Sequence, residues 1–246
     1  MNISSPVFVK TYKNNKRQIK VEKFNYSKLF WIFFIGCFLG VILETLYCII
    51  VRRHYESRVG VIYGPFNPIY GFGAVLLTIC LRWLGSKRDL YILLGSAVIG
   101  GAFEYFCSFC QEHALGTVSW EYSHTQYNFN GRTSVLYLFF WGLLGLIWVR
   151  KIYPRLSSLI ERIPTHIKNP LTIILSVFML INMLLSVMAL ERQSRRRKGI
   201  LPTNRVELFL DKHYPDDLLK EIYANMMVVN EINSTESSNT NIRLKY

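Results

Sequence analysis

Residues Gly36–Glu44 read G-C-F-L-G-V-I-L-E, a stretch that places a carboxylate inside a long apolar run. Its two glycines and its glutamate recur at every fourth position, so they lie on one face of a helix. Sixty residues later, Ser96–Glu104 reads S-A-V-I-G-G-A-F-E and repeats the spacing of small residue, small residue and glutamate. Two such faces predict a pair of helices that present their glutamates to each other.

Long apolar runs determine the class of protein. Leu29–Val51, Leu90–Cys110 and Leu171–Leu190 are each about 20 residues long, enough to cross a hydrocarbon core of ~30 Å as helices. Ile69–Leu84 and Thr133–Val149 are shorter, roughly 16–17 residues, and are predicted as short spans. The sequence therefore predicts an all-α integral membrane bundle of about five transmembrane helices.

The order of these runs suggests a tandem duplication. A long span, an aromatic loop and a short span occur twice, at about 29–84 and about 90–149. We interpret this as a repeated two-span unit, and chance similarity between two membrane hairpins is the alternative. Two spans per unit make the repeats parallel. The predicted organisation is a basic N-terminal tail (1–28), the duplicated core (29–152), a basic connector (153–170), the fifth span (171–190) and a polar C-terminal tail (191–246).

The location and orientation follow from length and charge. The chain is 51% hydrophobic with a formal net charge of +13, and its first apolar run has no cleavage site after it. We expect a multi-pass protein of the cell membrane, with more Lys and Arg on the inner side when the N-terminus is cytoplasmic. The basic cluster Arg195–Lys198 opposes this orientation. In the tail, short helices are predicted from Asn204, with Glu207 three residues on, and from Asp216.

Several kinds of activity lack their motifs. The chain has no G-x-x-x-x-G-K-[ST] phosphate loop, no G-x-S-x-G nucleophile motif and no H-E-x-x-H pattern, so nothing indicates an ATPase or another enzyme. No nucleic-acid motif occurs. The five cysteines are not a disulfide framework. Cys107 and Cys110 are interpreted as small packed residues rather than as a thiol pair, and no metal or cofactor is expected.

Proline and glycine mark the loop before the short second span. Pro65 and Pro68 forbid a regular helix there, whereas Gly64, Gly71 and Gly73 permit tight turns. The segment is nevertheless apolar and aromatic. It is either a partly re-entrant segment that leads into the short span, or an aromatic loop that rests at the lipid headgroups.

Glu44 and Glu104 are the only acidic residues inside apolar runs. A charged side chain deep in a bilayer costs about 2.5–3.5 kcal/mol on insertion scales and commonly marks an ion or substrate path. Two nearby carboxylates in a low dielectric do not both ionise cheaply, so at least one is expected to hold a proton. The functional alternatives are a proton-coupled site, a site for a cationic or amine-bearing substrate, and a metal site. The structural alternative is that both glutamates hydrogen-bond helices together.

Four blocks of sequence carry a family resemblance. They are L-G-V-I-L-E-T-L-Y, V-I-Y-G-P-F-N-P-I-Y-G-F-G-A, G-G-A-F-E-Y, and W-E-Y-S through Y-N-F-N-G-R to L-F-F-W-G-L-L-G. Together they resemble a bacterial membrane family known as ABC-transporter type IV, or CmpB-like, over roughly Trp31 to Tyr153. The family usually has W-D-Y where this chain has W-E-Y at Glu121. It also has N-R-G where this chain has S-R-V-G.

The resemblance implies a permease and a set of site positions. The positions that match its motifs are Glu44, Gly64, Pro65, Pro68, Tyr70, Gly71, Gly73, Glu104, Trp120, Tyr122, Asn128, Asn130, Gly131, Arg132, Trp141 and Gly142. From these, the candidate substrate or ion path comprises Glu44, Glu104, Arg132, Tyr70, Trp120, Tyr122 and Asn130. The structural loop positions are Gly64, Pro65, Pro68, Gly71, Gly73 and Gly131. Arg132 is expected either to pair with a core glutamate or to extend to the headgroups.

Three functions remain open on the sequence. The first is a permease-type transporter subunit with a paired intramembrane glutamate site and a separate ATPase subunit. The second is a membrane enzyme or lipid-handling protein whose aromatic loops form an interfacial site. The third is a structural membrane scaffold. The expected partners are the lipid bilayer, the ATPase and a second copy of the chain, with no nucleic acid.

Overall fold

The computed structural model describes residues 7–10, 19–22, 25–81 and 84–229. Most of the predicted basic tail, and the end of the polar C-terminal tail, lie outside these residues. Within the basic tail, strand β1 (Val7–Lys10) pairs antiparallel with β2 (Ile19–Glu22). Lys28 belongs to the predicted basic tail, but the structure places it in the first turn of a helix. Its side chain is buried, and its Nζ lies 2.9 Å from Glu161 Oε1.

Helices make up the membrane region. They are α1 (Tyr26–Tyr47, continued by a π-helical turn Cys48–Arg52), α2 (Pro68–Leu81), α3 (Asp89–Leu115), α4 (Val135–Ile147, continued by a π-helical turn Trp148–Ile152), α5 (Tyr153–Arg162) and α6 (Thr165–Arg197). Among the described residues, four stretches are long and apolar enough to cross a membrane: Tyr26–Arg52, Asp89–Leu115, Val135–Arg162 and Thr165–Arg197. The predicted class, an all-α membrane bundle, is therefore confirmed.

Of the five predicted spans, the second is the one whose helix is too short to be counted as a membrane span by length. Helix α2 is apolar but has 14 residues. At 1.5 Å per residue it is ~21 Å long, less than the ~30 Å of a hydrocarbon core. The described residues thus contain the four long helical stretches named above and one short apolar helix, α2. The count of five spans stays a prediction.

Close contacts of small residues join the helices into two hairpins. Helix α1 packs on α2, and a Cβ added at Gly40 would lie 2.1 Å from the ring of Tyr70. Helix α3 packs on α4, and a Cβ at Gly100 would lie 2.4 Å from the indole of Trp141. In both hairpins a glycine one turn before the glutamate receives an aromatic ring from the partner helix. The tandem duplication itself remains a prediction.

The substitution Gly100→Ala is expected to lower stability by about 1–3 kcal/mol, because the added methyl group overlaps the Trp141 indole in a packed core. The measurement is the midpoint of thermal unfolding of the purified protein in detergent. Gly85→Ala is the control, because a Cβ at Gly85 has its nearest neighbour, a Val149 methyl, at 3.8 Å. Equal midpoints for both variants would contradict the close packing of α3 on α4.

The loop 53–67 folds back into the bundle. The backbone N–H of Asn67 donates to the carbonyl oxygen of Cys37 at 3.1 Å. Cys37 lies about four turns before the end of the α1 segment at Arg52, so the chain returns by ~20 Å along the helix axis. Val61 in this loop is only 1% exposed. This path matches the re-entrant alternative rather than a loop at the headgroups.

Polar side chains of α6 satisfy the backbone of this irregular loop. Asn182 accepts from the N–H of Tyr63 at 3.1 Å, and its Nδ2 donates to the Tyr63 carbonyl at 2.7 Å. The N–H of Ile62 donates to Ser186 Oγ at 3.0 Å. Non-helical backbone at membrane depth is tolerated where protein groups satisfy it, as they do here.

The C-terminal tail forms a folded cap on the ends of α3 and α6. The cap (residues 199–229) contains α7 (Arg205–His213), α8 (Asp216–Ile222) and β6 (Met227–Val228), which pairs antiparallel with β3 (Thr117–Val118). Asn204 accepts from the N–H of Glu207 at the start of α7, so both predicted tail helices are confirmed. The cap also reaches loop 53–67, where Tyr63 and Tyr214 share a hydroxyl hydrogen bond of 2.8 Å.

Ion pairs hold the cap to the end of α6. Nε and Nη2 of Arg192 each donate to one oxygen of the Asp211 carboxylate at 2.8 Å, and Arg196 lies 2.5 Å from the same carboxylate. The hydrogen bonds from Arg192 are the main cause that lowers the pKa of Asp211 to about 2. Arg195 pairs with Glu207 at 2.5 Å. Much of the charge of the basic cluster is therefore neutralised within the protein.

Candidate functional site

One cavity contains both intramembrane glutamates. It has a volume of about 580 Å³ and lies between the two hairpins, α6 and the cap. Glu44 and Glu104 line it together with Tyr70, Trp120 and Tyr122. Five of the seven predicted path residues thus meet in one place, although they come from four separate parts of the chain.

A buried arginine neutralises Glu44. Arg58 Nη1 lies 3.2 Å from Glu44 Oε1, and the arginine side chain is only 5% exposed. The guanidinium also pairs with the Glu56 carboxylate and donates to Cys48 Sγ at 3.2 Å. The Tyr70 hydroxyl donates to the other oxygen of Glu44. Glu44 is therefore a member of a salt-bridge cluster rather than an isolated carboxylate.

Arg58 was not among the predicted site residues. A signal for it does exist in the sequence, because Arg58 is the only charged residue from Ser57 to Leu81. A single charge in such an apolar segment needs a partner of opposite charge. The re-entrant path of the loop brings that charge to Glu44.

Neutral donors surround Glu104. Thr133 Oγ1 donates to Glu104 Oε2 at 2.7 Å, and the Tyr122 hydroxyl donates to Oε1 at 3.1 Å. Burial, followed by the nearby charge of Glu104, raises the pKa of Tyr122 well above its ordinary value, so this hydroxyl stays a neutral donor. In the part of the chain that the structure describes, no Lys, Arg or His forms an ion pair with Glu104. Glu44 and Glu104 thus have the same place in their hairpins but different electrostatic partners.

Arg132 and Asn130 lie outside the shared cavity. Arg132 Nη1 is 2.6 Å from Glu112 Oε2, so the arginine pairs with a glutamate two turns beyond Glu104. Asn130 Nδ2 donates to the Tyr105 hydroxyl at 3.0 Å. Both line a neighbouring pocket of about 200 Å³. The structure therefore separates these two predicted path residues from the glutamate pair.

Turns position the two aromatic loops. Gly64 has a φ of +80°, and its carbonyl accepts from the N–H of Phe66 at 2.9 Å, across Pro65. Gly131 has a φ of +67°, and its N–H donates to Asn128 Oδ1 at 3.0 Å. These left-handed conformations favour glycine. Both glycines therefore lie at turns whose backbone conformation favours glycine.

The remaining predicted loop positions belong to α2. Pro68 is its first residue, where the missing N–H has no helical partner to lose. A Cβ at Gly71 would lie 2.4 Å from Cys37 Sγ, so this glycine allows α2 to approach α1. A Cβ at Gly73 would meet the Phe103 ring at 3.4 Å, which places Gly73 against the second hairpin.

The cap completes the cavity wall. Tyr223, Asn225 and Met226 line the cavity, and the Asn225 amide donates to the Ser119 carbonyl at 3.4 Å. Sequence reasoning treated this region as a polar tail and missed these residues. The available signal was the helical spacing of the apolar side chains Leu218, Leu219, Ile222 and Tyr223, which need a surface to pack on.

Two cysteines are among the residues that line the cavity. Cys107 and Cys110 both line it, as free thiols. Within the described ranges, no three His, Cys, Asp or Glu side chains are grouped closely enough to hold a metal ion. The groups that line the cavity include carboxylates, thiols, amides, hydroxyl groups and aromatic rings.

Comparison with known proteins identifies the family. The family model described as Putative ABC-transporter type IV matches residues 31–187, which is more than half of the chain and includes most of α6. No curated protein and no solved structure matches the chain. The matched region contains both hairpins and both glutamates, whereas the cap lies after it. The chain therefore belongs to the Putative ABC-transporter type IV family.

Proposed function

We propose that the protein is the permease-type subunit of a membrane transporter and that its substrate occupies the cavity shared by Glu44 and Glu104. The observation that carries the proposal is the meeting of these two glutamates, sixty residues apart in the chain, in one cavity of about 580 Å³. Carboxylates in membrane helices that face a cavity commonly mark a substrate path. Family membership supports the same reading.

A separate ATPase subunit would supply energy, because the sequence carries no phosphate-binding loop. We also propose that the N-terminus is cytoplasmic. The cluster Arg195–Lys198, which would then be outside, opposed this orientation. Its Arg195 and Arg196 are paired with carboxylates of the cap, so fewer free positive charges remain on that side.

The test uses the full-length tagged protein, cross-linked and purified in mild detergent from the membranes of its host. We expect an ATP-binding subunit to co-purify and the complex to hydrolyse ATP after reconstitution. Glu104→Gln keeps the size and hydrogen bonding of the side chain but removes its charge. It is expected to lower ATP turnover at least tenfold, whereas Glu191→Gln, at an exposed position of α6, leaves it unchanged. Full turnover in the Glu104→Gln complex would favour a purely structural role for the glutamates.

A lipid-handling protein is the second candidate, and one observation favours it. Phe72 and Phe106 line the cavity and are also 51% and 62% exposed on the apolar surface of the helices. An apolar ligand from the bilayer would reach the cavity past these rings. Mass spectrometry of the purified protein distinguishes the two, since one stoichiometric lipid that is lost in Phe72→Ala would favour the lipid-handling function.

A further inference from the structure

The charges around the cavity add up to one uncompensated carboxylate. The Glu44 carboxylate lies 3.2 Å from the buried guanidinium of Arg58, which also pairs with Glu56. Arg52 lies 3.7 Å from the Glu56 carboxylate, so these two carboxylates and two guanidinium groups balance each other. Arg132, which precedes α4, is engaged by Glu112 at 2.6 Å. Among the described residues, the hydrogen-bond donors to Glu104 are neutral groups, the hydroxyls of Thr133 and Tyr122 and the indole N–H of Trp141. An isolated buried carboxylate is stable only with a proton or a cation beside it.

The rest of the cavity wall is mainly apolar and aromatic. Trp120, Tyr122 and Trp141 line it near Glu104, and Met183, Val187 and Leu190 line it from α6. Aromatic side chains attract cations through their ring faces, and the attraction grows when water is excluded. Such a wall suits a ligand that has an apolar body and a single positive charge.

Inorganic cations fit this wall poorly. A metal ion requires several oxygen, nitrogen or sulfur ligands at short range. No group of three such acidic, histidine or cysteine ligands is found in the described part of the chain. The volume of about 580 Å³ also falls within the range of sites for drug-sized organic molecules.

We propose that the cavity binds a monovalent organic cation whose charge lies against Glu104 and whose apolar body lies against the aromatic and α6 walls. This inference rests on the proposed function in taking the cavity as the substrate site. Because the cluster of Glu44, Glu56, Arg52 and Arg58 has no net charge, Glu104 is the carboxylate left for the ligand, which is therefore a monocation rather than a dication. Glu104 is then the binding residue for charge, and Thr133 and Tyr122 position its carboxylate.

A pair of probes with the same shape and opposite charge tests the proposal. Tetraphenylphosphonium is a monocation, and tetraphenylborate is an anion of nearly the same size. Equilibrium dialysis of the full-length protein in detergent is expected to show saturable binding of one tetraphenylphosphonium per chain. Tetraphenylborate is expected to bind at least tenfold more weakly. Equal binding of the two probes would overturn the proposal, because the cavity would then select for apolarity alone.

Variants test the assigned residue. Glu104→Gln is expected to weaken tetraphenylphosphonium binding at least tenfold and to leave tetraphenylborate binding unchanged or stronger. Glu191→Gln, which carries the same change of charge at an exposed site, is expected to bind both probes as the unmodified protein does. An unchanged affinity for tetraphenylphosphonium in Glu104→Gln would overturn the assignment. The comparison of the two probes on the unmodified protein remains decisive if this variant does not fold.

The outcomes separate this inference from the proposed function. Capture of an active ATPase without charge-selective binding would leave the permease proposal standing and refute the cation. Charge-selective binding that depends on Glu104, without an ATPase or coupled turnover, would leave the cation site standing and refute the permease proposal.

Discussion

Arg58→Gln is expected to destabilise the protein by about 3–5 kcal/mol, the usual consequence of removing one partner of a buried ion pair. The Arg58 side chain is 5% exposed and lies between two carboxylates, 3.2 Å from that of Glu44. Without the guanidinium, Glu44 would be a charge in an apolar wall with only the Tyr70 hydroxyl as donor. We expect a large fall in the thermal unfolding midpoint in detergent and in the amount of protein in the membrane.

A second substitution should reverse much of this loss. In the double variant Arg58→Gln with Glu44→Gln, neither charge remains and the Gln at position 44 still accepts from Tyr70. Replacing both members of a buried pair is often close to neutral. Arg53→Gln is the control, because Arg53 is exposed in the same loop. If the single variant at position 58 unfolds at the same temperature as the control, the salt-bridge cluster does not stabilise this end of the bundle.

Asn182→Leu is expected to release the re-entrant loop from α6. Asn182 is 2% exposed and bonds both the N–H and the carbonyl of Tyr63. Leucine has a similar size but leaves both backbone groups unpaired, at about 1–3 kcal/mol for each buried group. We expect a total loss of about 2–4 kcal/mol. A smaller loss is expected in Ser186→Ala, where the hydroxyl that accepts from the Ile62 N–H and donates to the Asn182 carbonyl is removed.

Labelling of a cysteine introduced by Val61→Cys reports on the loop itself. Val61 is 1% exposed, so a bulky aqueous thiol reagent should not reach this position in the unmodified protein. Addition of Asn182→Leu is expected to make the position reactive. Asn169→Leu is the matched control, since Asn169 lies at an exposed position of α6. Rapid labelling before any change at position 182 would place the loop at the headgroups.

The membrane class and the glutamate faces were predictable because they depend on local sequence. Apolar length identifies a span, and a spacing of four residues places Gly40 beside Glu44 on one helix face. The tail helices were predictable for the same reason, since Asn204 caps α7 through the N–H of Glu207, three residues along the chain. Each of these signals acts within one or two helical turns.

The partners of the two glutamates were not predictable, because the contacts depend on the path of irregular chain. Arg58 reaches Glu44 only through the return of loop 53–67 into the bundle. Arg132 pairs with Glu112 and not with Glu104 on the same face of α3, and this pairing depends on the turn at Gly131. The approach of Tyr223 to the cavity requires the cap to fold back from the end of α6.

Each glutamate has its partners within its own hairpin and loop, and this affects how the protein can be inserted into the membrane. The contacts of Glu44 come from Arg58 and Tyr70, within the first hairpin and its loop. Those of Glu104 come from Tyr122 and Thr133, within the second hairpin and its loop. Because synthesis proceeds from the N-terminus, each hairpin can satisfy its own carboxylate as it enters the bilayer, before α6 and the cap exist. The cap is made after both hairpins, so the wall formed by Tyr223, Asn225 and Met226 is added to the cavity after the two carboxylates already have their partners.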